Sequence, residues 1–252
     1  MKSIIKLYGN IFLILLTVSV FSQNNKLEVV YKADVARSSS QSKPSIHRKS
    51  IDKVFETIST IEMSLFYENG KGVFKVQNTL SPSDKMNNLE FNVSKVILDV
   101  VDVYFYDTQS NEVVVLKKDI DYEFHVFYSL NRFNWTIESE SKKISGINCY
   151  RATTVNYYYD KNNVKEEFKV IAWYAPNVSV PLGPIGYSGL PGLILELEEV
   201  GRRRYFATNI FFDTDFEIKN FYEVNKGERI SEKDFNVLLK SKYEHFNNLI
   251  KN

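Results

Sequence analysis

Short runs of alternating apolar and polar residues recur through most of the chain, with polar turns between them. Runs of this kind, spaced at about ten residues, predict short β-strands. The predicted strands cover residues 27–32, 58–67, 71–77, 100–107, 112–117, 122–128, 133–138, 148–158, 164–174, 193–198 and 204–212. Polar stretches at residues 37–50 and 78–92 predict loops. Because no helical segment separates the strands, we expect an antiparallel meander rather than alternating β–α units.

The last part of the chain has a helical period instead. Ser231 and Asp234 resemble a capping box with Asp in place of the usual Glu or Gln. Apolar residues follow at helical spacing: Phe235, Leu238, Leu239, Phe246, Leu249 and Ile250. The polar face mixes both charges, which favours packing on the sheet over binding a partner or a membrane surface. The predicted fold class is therefore mainly β, an antiparallel meander or curved, half-barrel-like sheet with a C-terminal amphipathic helix packed on it.

Glycine and proline concentrate at residues 181–192, which hold four of the ten glycines and three of the six prolines. The sequence 183–186 predicts a type I turn, and the sequence 190–193 predicts a type II turn. In the strand that follows, Leu193, Leu195 and Leu197 are expected on the buried side, with Ile194, Glu196 and Glu198 opposite. We interpret the stretch as a structural motif that sets the register of this strand, formed by Gly183, Pro184, Gly186, Gly189, Leu190, Pro191, Gly192, Leu193 and Ile194.

The same stretch has weak similarity to catalytic loops. Residues 186–190 approach the G-x-S-x-G pattern, but Leu190 stands where the second glycine is needed. Backbone N–H groups of such a loop can bind an anion, yet the lysine and following helix of a phosphate-binding loop are missing. We therefore favour a structural turn over a loop that contacts a ligand.

The first 22 residues are typical of a secretory signal peptide. Lys2 and Lys6 precede an apolar run at residues 11–21, and Val20 and Ser22 fit the −3 and −1 positions of a cleavage site. The apolar run is shorter than the ~20 residues that a spanning helix needs, so we expect cleavage rather than a retained anchor. The expected product is one exported β-rich domain, residues 23–252, without a transmembrane segment, in the periplasm or associated with the cell envelope.

Composition narrows the function further. The formal net charge of +1 argues against nucleic-acid binding, which needs a net basic face. The aromatic content of 14% favours a β-sheet. Cys149 is the only cysteine, so an internal disulfide cannot form. We expect it to be a small buried apolar residue, with a reactive or intermolecular thiol as the alternative.

Several motifs precede the glycine–proline stretch. Trp135 follows Phe133-Asn134. Gly146 and Cys149 lie in the sequence at residues 144–153, and Trp173 lies in Ala172-Trp173-Tyr174. Together with Gly183-Pro184 and the sequence Gly-Leu-Pro-Gly-Leu-Ile at residues 189–194, this order resembles the GLPGLI family of exported Bacteroidota proteins, over residues 130 to 200. The resemblance implies no catalytic residue. It implies framework roles for Trp135, Gly146, Cys149 and Trp173.

Few other side chains suit catalysis. His47, His125 and His245 have no metal-ligand spacing, and we expect His125 to be a half-exposed strand residue. Glu196 and Glu198 are expected on one strand face, ~7 Å apart, a separation that glycosidases use, with Glu199 beside them. Arg202, Arg203 and Arg204 are expected to balance this acidic run, with an anionic lipid or phosphate as the alternative partner. No cofactor and no metal are predicted.

Three functions follow from these observations. The first is an exported, non-catalytic envelope protein that binds an apolar or extended ligand, or an envelope partner. In its carrier version, an apolar ligand would lie in a groove behind the strands. The second is a hydrolase that uses carboxylates or His125. The third is a structural or interaction protein of an outer-membrane system.

Overall fold

The computed structural model describes residues 26–36, 48–77, 89–119, 122–159, 164–216, 218 and 227–251. The proposed signal peptide, residues 1–22, lies outside the described residues, as does most of both predicted loops. Within the described residues the chain is mostly β and forms twelve strands and three α-helices. The strands are β1 (Lys26–Val35), β2 (Met63–Glu68), β3 (Lys71–Val76), β4 (Val103–Asp107), β5 (Glu112–Asp119), β6 (Tyr122–Ser129), β7 (Thr136–Ile144), β8 (Ile147–Tyr159), β9 (Lys165–Ala175), β10 (Leu193–Glu199), β11 (Arg203–Phe212) and β12 (Glu228–Ser231). The helices are α1 (Arg48–Thr60), α2 (Leu89–Ile97) and α3 (Glu232–Lys251).

All twelve strands belong to one open sheet in the order β12-β6-β5-β4-β3-β2-β1-β11-β10-β9-β8-β7. Neighbouring strands are antiparallel, and only the short β12 runs parallel to its neighbour β6. The sheet therefore consists of two meanders, β1–β6 and β7–β11, joined where β1 pairs with β11. The predicted fold class is confirmed.

The chain connectivity requires the sheet to curve strongly. β6 and β7 lie near opposite ends of the sheet, ten strand spacings apart, which is about 48 Å in a flat sheet. Yet only seven Cα–Cα steps connect Ser129 to Thr136, and an extended chain of that length reaches about 25 Å at most. The two ends of the sheet must therefore turn toward each other.

One face of this curved sheet carries the main apolar core. Directly paired residues form a row across five strands on this face: Ala33, Tyr205, Leu197, Ala172 and Ala152. All five are buried and belong to the same apolar cluster. We call the face that carries this row the inner face, and the opposite one the outer face.

Two helices occupy segments that the sequence pattern did not predict as helical. Residues 48–50 and 89–92 were expected in loops but begin α1 and α2, and Ile58 was expected in a strand but lies in α1. In α1, Ile51, Val54, Phe55 and Ile58 have helical spacing, which the alternation after residue 58 concealed. The two helices pack together, and Ser94 Oγ of α2 donates to the carbonyl of Val54 at 3.1 Å.

The C-terminal helix begins where the capping box predicts. Ser231 Oγ accepts a hydrogen bond from the Asp234 backbone N–H at 3.1 Å and donates to the Asp234 carboxylate at 2.6 Å. Phe235 is buried against Phe124 of β6, with the ring centroids 5.4 Å apart. The helix thus packs on the inner face near one end of the sheet. The side chains of Phe246, Leu249 and Ile250 lie outside the described residues.

Candidate functional site

The glycine–proline stretch lies inside the curve of the sheet. We call residues 178–192 the interior loop; nearly all of them are buried, whereas Ser179 and Pro191 are exposed. Two adjacent loop residues reach opposite ends of the sheet: Gly186 lies against Tyr128 of β6, and Tyr187 accepts a hydrogen bond from Asn156 of β8. In a flat sheet these strands would be about 43 Å apart. The sheet therefore wraps around the loop.

Neither turn of the interior loop has the predicted type. Tyr187 N–H donates to the Pro184 carbonyl at 3.0 Å, and both central residues have positive φ, 44° at Ile185 and 83° at Gly186. This is the geometry of a type I′ turn, one residue later than the predicted type I turn. Because Ile185 is a buried anchor in the core, packing must offset the cost of its left-handed backbone.

The second turn is also different from the predicted type II turn. Gly192 N–H donates to the Leu190 carbonyl at 2.8 Å, which closes a three-residue turn, and Leu193 N–H donates to Val178 at 3.1 Å. The φ of Gly192 is 156°, and a Cβ there would lie 2.7 Å from the Ala175 carbonyl carbon. Only glycine fits where the loop passes this close to the end of β9.

The strand after the loop is buried on both sides at its start. Ile194 was expected opposite the leucines, on the exposed side, but it is fully buried. The register of β10 shifts between Ile194 and Glu196 where it pairs with β9. This irregularity lets Leu193, Ile194 and Leu195 all enter the core.

Buried tyrosines hold the backbone of the interior loop and of the first residues of β10. Tyr106 Oη donates to the Gly183 carbonyl at 2.8 Å and accepts from the Gly186 N–H at 2.9 Å. Tyr31 Oη donates to the Ile194 carbonyl at 2.7 Å. Burial raises the pKa of both phenols well above the ordinary value, so they stay protonated donors.

The chain segment that joins the two ends of the sheet also binds the loop. Trp135 Nε1 donates to the Ser188 carbonyl at 2.8 Å, and Ser188 Oγ donates to the Leu130 carbonyl at 2.8 Å. Phe133 stacks on Tyr187 with the ring centroids 4.6 Å apart. Trp135, Ser188, Phe133 and Tyr187 thus hold the interior loop against the connecting segment.

A buried polar network lies at one end of the loop. Tyr187 Oη donates to Glu199 Oε1 at 2.9 Å, and Arg203 Nε lies 2.6 Å from Glu199 Oε2. Arg203 also pairs with Asp99 at 2.9 Å. Glu199 belongs to the predicted acidic run with Glu196 and Glu198. Of the three side chains, that of Glu199 alone lies on the inner face, and it is 2% exposed. Burial, followed by the charge of Glu199, raises the pKa of Tyr187 well above the ordinary value.

A cleft of about 260 Å³ opens beside this network, at the end of the β10–β11 hairpin. Its lining carries both charges: Asp34, Glu198, Glu199, Arg202, Arg203 and Arg204. Arg204 pairs with Asp34 at 2.7 Å, while Arg202 lies over the Tyr158 ring, 4.2 Å from its centroid. These arginines thus pair with the neighbouring carboxylates and rings. Among the described residues, no group of three or more His, Cys, Asp and Glu side chains is arranged to hold a metal ion.

The remaining predicted framework residues lie apart from the loop. Trp173 is on the outer face of β9, with Lys142 Nζ 4.3 Å from its ring and 2.8 Å from Glu196 Oε2. Cys149 is fully buried beneath this group, and burial raises the pKa of its thiol to about 11. Gly146 has a φ of 81° in the β7–β8 turn.

His125 is buried, 1% exposed, where a half-exposed residue was expected. The carboxylate of Glu123 is 3.4 Å from its Nε2, and Gly227, just before β12, lies against its ring. Six strands separate it in the sheet order from the β10 carboxylates. His125 and Glu196 both lie on the outer face, so the curvature of the sheet does not direct them into a common pocket. His47 and the side chain of His245 lie outside the described residues.

A second aromatic group lies on the surface, where the β8–β9 hairpin extends beyond its neighbours. β7 pairs with β8 only up to Thr153, and β10 pairs with β9 only from Val170 onward. The overhanging strands, residues 154–159 and 165–169, form what we call the β8–β9 ribbon. It exposes Val155, Tyr157, Tyr158 and Tyr159, by 60, 42, 40 and 51%. The alternation at residues 148–158 and 164–174 predicted both strands, but no residue pattern indicated that they would overhang.

Part of the chain matches a family model described as "Protein of unknown function (Porph_ging)", over residues 158–196. The match begins at the end of β8 and continues through β9 and the interior loop into β10. The chain thus resembles, over this segment, a Bacteroidota-associated family of unknown function, whereas the GLPGLI assignment stays a prediction. No curated protein matches the sequence.

Among solved structures, PNGF-II in a C2 and a P2₁ crystal form resembles this fold, with TM-scores of 0.52 and 0.51 and 15% identity. Each alignment covers 84% of this chain and 32% of that chain, so this protein spans about a third of the length of PNGF-II. The likeness shows the fold alone. An outer membrane lipoprotein-sorting protein domain from Vibrio parahaemolyticus aligns at 10% identity over 79% of this chain and 90% of that chain, with a TM-score of 0.26, too low to support an argument.

Proposed function

We propose that this protein is an exported, non-catalytic protein of the cell envelope that binds an extended ligand or an envelope partner at its surface. The observation that carries the proposal is the interior loop. A half-barrel carrier holds an apolar ligand on its inner face, and in the described residues of this chain that place is filled by Ile185, Tyr187 and Leu190. The carrier version of the hypothesis loses its support, and the binding surface must lie outside the curve.

Export is supported by the N-terminal sequence. None of the helices in the described residues combines the length and hydrophobicity that crossing a bilayer requires. Fusing residues 1–22 to a reporter enzyme that is active only after export tests this part of the proposal. We expect activity from the fusion and its loss when Leu15→Arg interrupts the apolar run. An inactive parent fusion would contradict export.

Binding is tested with the chain 23–252 immobilised on a resin. We expect the resin to retain one or more components of a detergent-solubilised envelope fraction from the native cell, and free protein to compete for them. The soluble fraction of the same cells is the control. If no retained component is lost on competition, the proposed binding function is wrong.

The hydrolase alternative has less support from the geometry. Glu199 is buried, its Oε1 accepts a hydrogen bond from Tyr187, and its Oε2 lies in an ion pair 2.6 Å from Arg203 Nε without hydrogen-bond geometry. A nucleophile or general base needs an oxygen directed at the substrate. His125 is buried far along the sheet from the β10 carboxylates. If the parent hydrolyses a chromogenic glycoside or ester and Glu199→Gln loses this activity, the hydrolase hypothesis is favoured over the binding function.

A further inference from the structure

Within the residues that the structure describes, the open edge of β8 lacks the features that usually protect an edge strand from pairing. Natural edges carry charges, prolines or bulges, or are covered by another element. β7, the edge at this end of the sheet, has Glu138, Glu140, Lys142 and Lys143 and a register shift between Ile137 and Ser141. The overhanging part of β9 carries Lys165, Glu166, Glu167 and Lys169. The overhang of β8, Thr154–Tyr159, has the sequence Thr-Val-Asn-Tyr-Tyr-Tyr and carries no charge.

The backbone of this segment has hydrogen-bonding groups directed away from β9. Lys169 of β9 lies directly opposite Val155, and its carbonyl accepts from the Val200 N–H at 3.0 Å, on the side away from β8. Tyr157 N–H donates to the side chain of its neighbour Asn156 at 2.9 Å. Alternate residues of a strand direct their N–H and C=O groups to the same side. Val155, Tyr157 and Tyr159 therefore direct their N–H and C=O groups to the open edge. β7 does not reach this part of β8, because its first residue, Thr136, pairs with Thr153. Among the described residues, no strand pairs with β8 beyond Thr153 on this side.

We propose that the β8 edge, Thr154–Tyr159, is a docking site for an extended peptide segment of a partner protein, which adds to the sheet as a strand antiparallel to β8. This inference rests on the proposed binding function and assigns it a site. The hydrogen-bond pattern selects the occupant, because an extended backbone supplies donors and acceptors at the matching spacing. Side chains of Val155, Tyr157 and Tyr159 on one face select apolar or aromatic residues at alternate positions of the peptide.

The size of the edge favours a peptide over a second copy of the folded chain. Six strand residues make an edge about 20 Å long and about 10 Å wide, so it offers roughly 200 Å² to a flat partner. A stable interface between folded proteins buries about 800 Å² on each side. A single peptide strand can contact both faces of the ribbon as well as its edge, which a folded domain cannot do without clashing with β7.

The test uses the chain 23–252 and a displayed library of twelve-residue random peptides, selected on the parent protein. We expect enriched peptides with apolar or aromatic residues at alternate positions. Their binding is measured by fluorescence anisotropy to the parent and to Val155→Pro, which removes an N–H on the open side and leaves the β9 ladder intact. We expect Val155→Pro to weaken binding at least tenfold and the matched control Val155→Thr, which keeps the N–H, to change it less than threefold.

A second variant and a chemical control protect the test against a folding artefact. Tyr157→Lys places a charge on the edge and should also weaken binding at least tenfold, with an unchanged thermal midpoint. A selected peptide whose edge-facing amides are N-methylated should lose binding, whereas methylation of the outward-facing amides should not. Selection of no peptide, or equal binding by parent, Val155→Pro and Tyr157→Lys, overturns the proposal. A dimer of the parent in sedimentation equilibrium that Val155→Pro dissociates also overturns it, in favour of self-association.

The outcomes separate this inference from the proposed function. If the parent resin retains an envelope component and the Val155→Pro resin retains it equally well, binding stands and the edge is wrong. If the parent retains nothing that free protein displaces, the proposed function itself fails. The peptide measurements then test only whether the β8 edge binds an extended peptide.

Discussion

Two groups of tyrosines in this protein have opposite environments. Tyr31, Tyr106 and Tyr187 are buried inside the sheet, and each hydroxyl makes a hydrogen bond with the interior loop, with the start of β10 or with Glu199. Tyr157 and Tyr159 lie on the β8–β9 ribbon, about half exposed, with their rings 5.9 Å apart. Tyrosine thus stabilises the fold in the first region and forms part of the proposed binding surface in the second. Changes inside should therefore cost stability, and changes on the ribbon should cost binding only.

The largest expected loss comes from the buried ion pair. Glu199→Ala leaves Arg203 and Tyr187 without their shared acceptor inside the protein. Breaking a buried pair on one side typically costs about 3–5 kcal/mol. Chemical denaturation measures the loss. The control Glu167→Ala breaks the exposed pair with Lys165 on the ribbon, where solvent screens both charges, so we expect no measurable loss of stability; equal losses at the two sites would contradict the contrast.

Gly192→Ala should be the next most damaging change. Its Cβ would lie 2.7 Å from the carbonyl carbon of Ala175 and 2.8 Å from the Cα of Pro176, and backbone cannot move aside easily. We expect a loss of about 3 kcal/mol in the free energy of unfolding. Gly146→Ala is the matched control, because its φ is also positive but nothing lies within 4 Å of the new methyl group. It should lose about 1 kcal/mol, the cost of the backbone conformation alone. Equal losses in the two variants would show that the loop is not closely packed.

Pro191→Ala should have a smaller effect than either. Pro191 is exposed, and the type II turn that it was expected to form is absent. Only its effect on the entropy of the unfolded chain remains, worth up to about 1 kcal/mol. A loss above 2 kcal/mol by thermal denaturation would mean that the proline ring has a packing role.

The smallest effect on stability is expected on the ribbon. Tyr159→Ser removes an aromatic ring that is 51% exposed and should change the free energy of unfolding by less than about 0.5 kcal/mol. The same variant should weaken the binding of the selected peptides. A loss of stability comparable with that of Gly192→Ala would place the ribbon in the folding core and contradict its assignment as binding surface.

The sequence predicted the strands better than the arrangement of the strands. Alternation of apolar and polar residues predicted strands at residues 58–67 and 71–77, which overlap β2 and β3, because this signal is local. The strand order is not local: β1 pairs with β11, and the pairing joins residues nearly 180 positions apart. The overhang of β8 depends on the position at which β7 begins to pair with it, and the sequence of β8 does not indicate that position.

The interior loop shows the same limit at the level of single residues. Its glycines and prolines predicted tight turns, and tight turns are present. The turn types were wrong because tertiary contacts decide them: Ile185 is held in a left-handed conformation by the core, and Tyr106 bonds both Gly183 and Gly186. The alternation that puts Leu197 on the buried side also places Glu199 there. Its burial as a charged residue could not be predicted, because it depends on Tyr187 and Arg203 meeting it inside the sheet.

Amide hydrogen exchange, read by mass spectrometry with and without a selected peptide, tests the contrast between the two regions most directly. We predict that amides of residues 182–194 stay protected in both states. Amides of Val155 and Tyr159 should exchange fast in the free protein and become protected at least tenfold when the peptide binds. Fast exchange at residues 182–194 that slows on peptide binding, with no change on the ribbon, would identify the interior loop as the binding element and contradict the account.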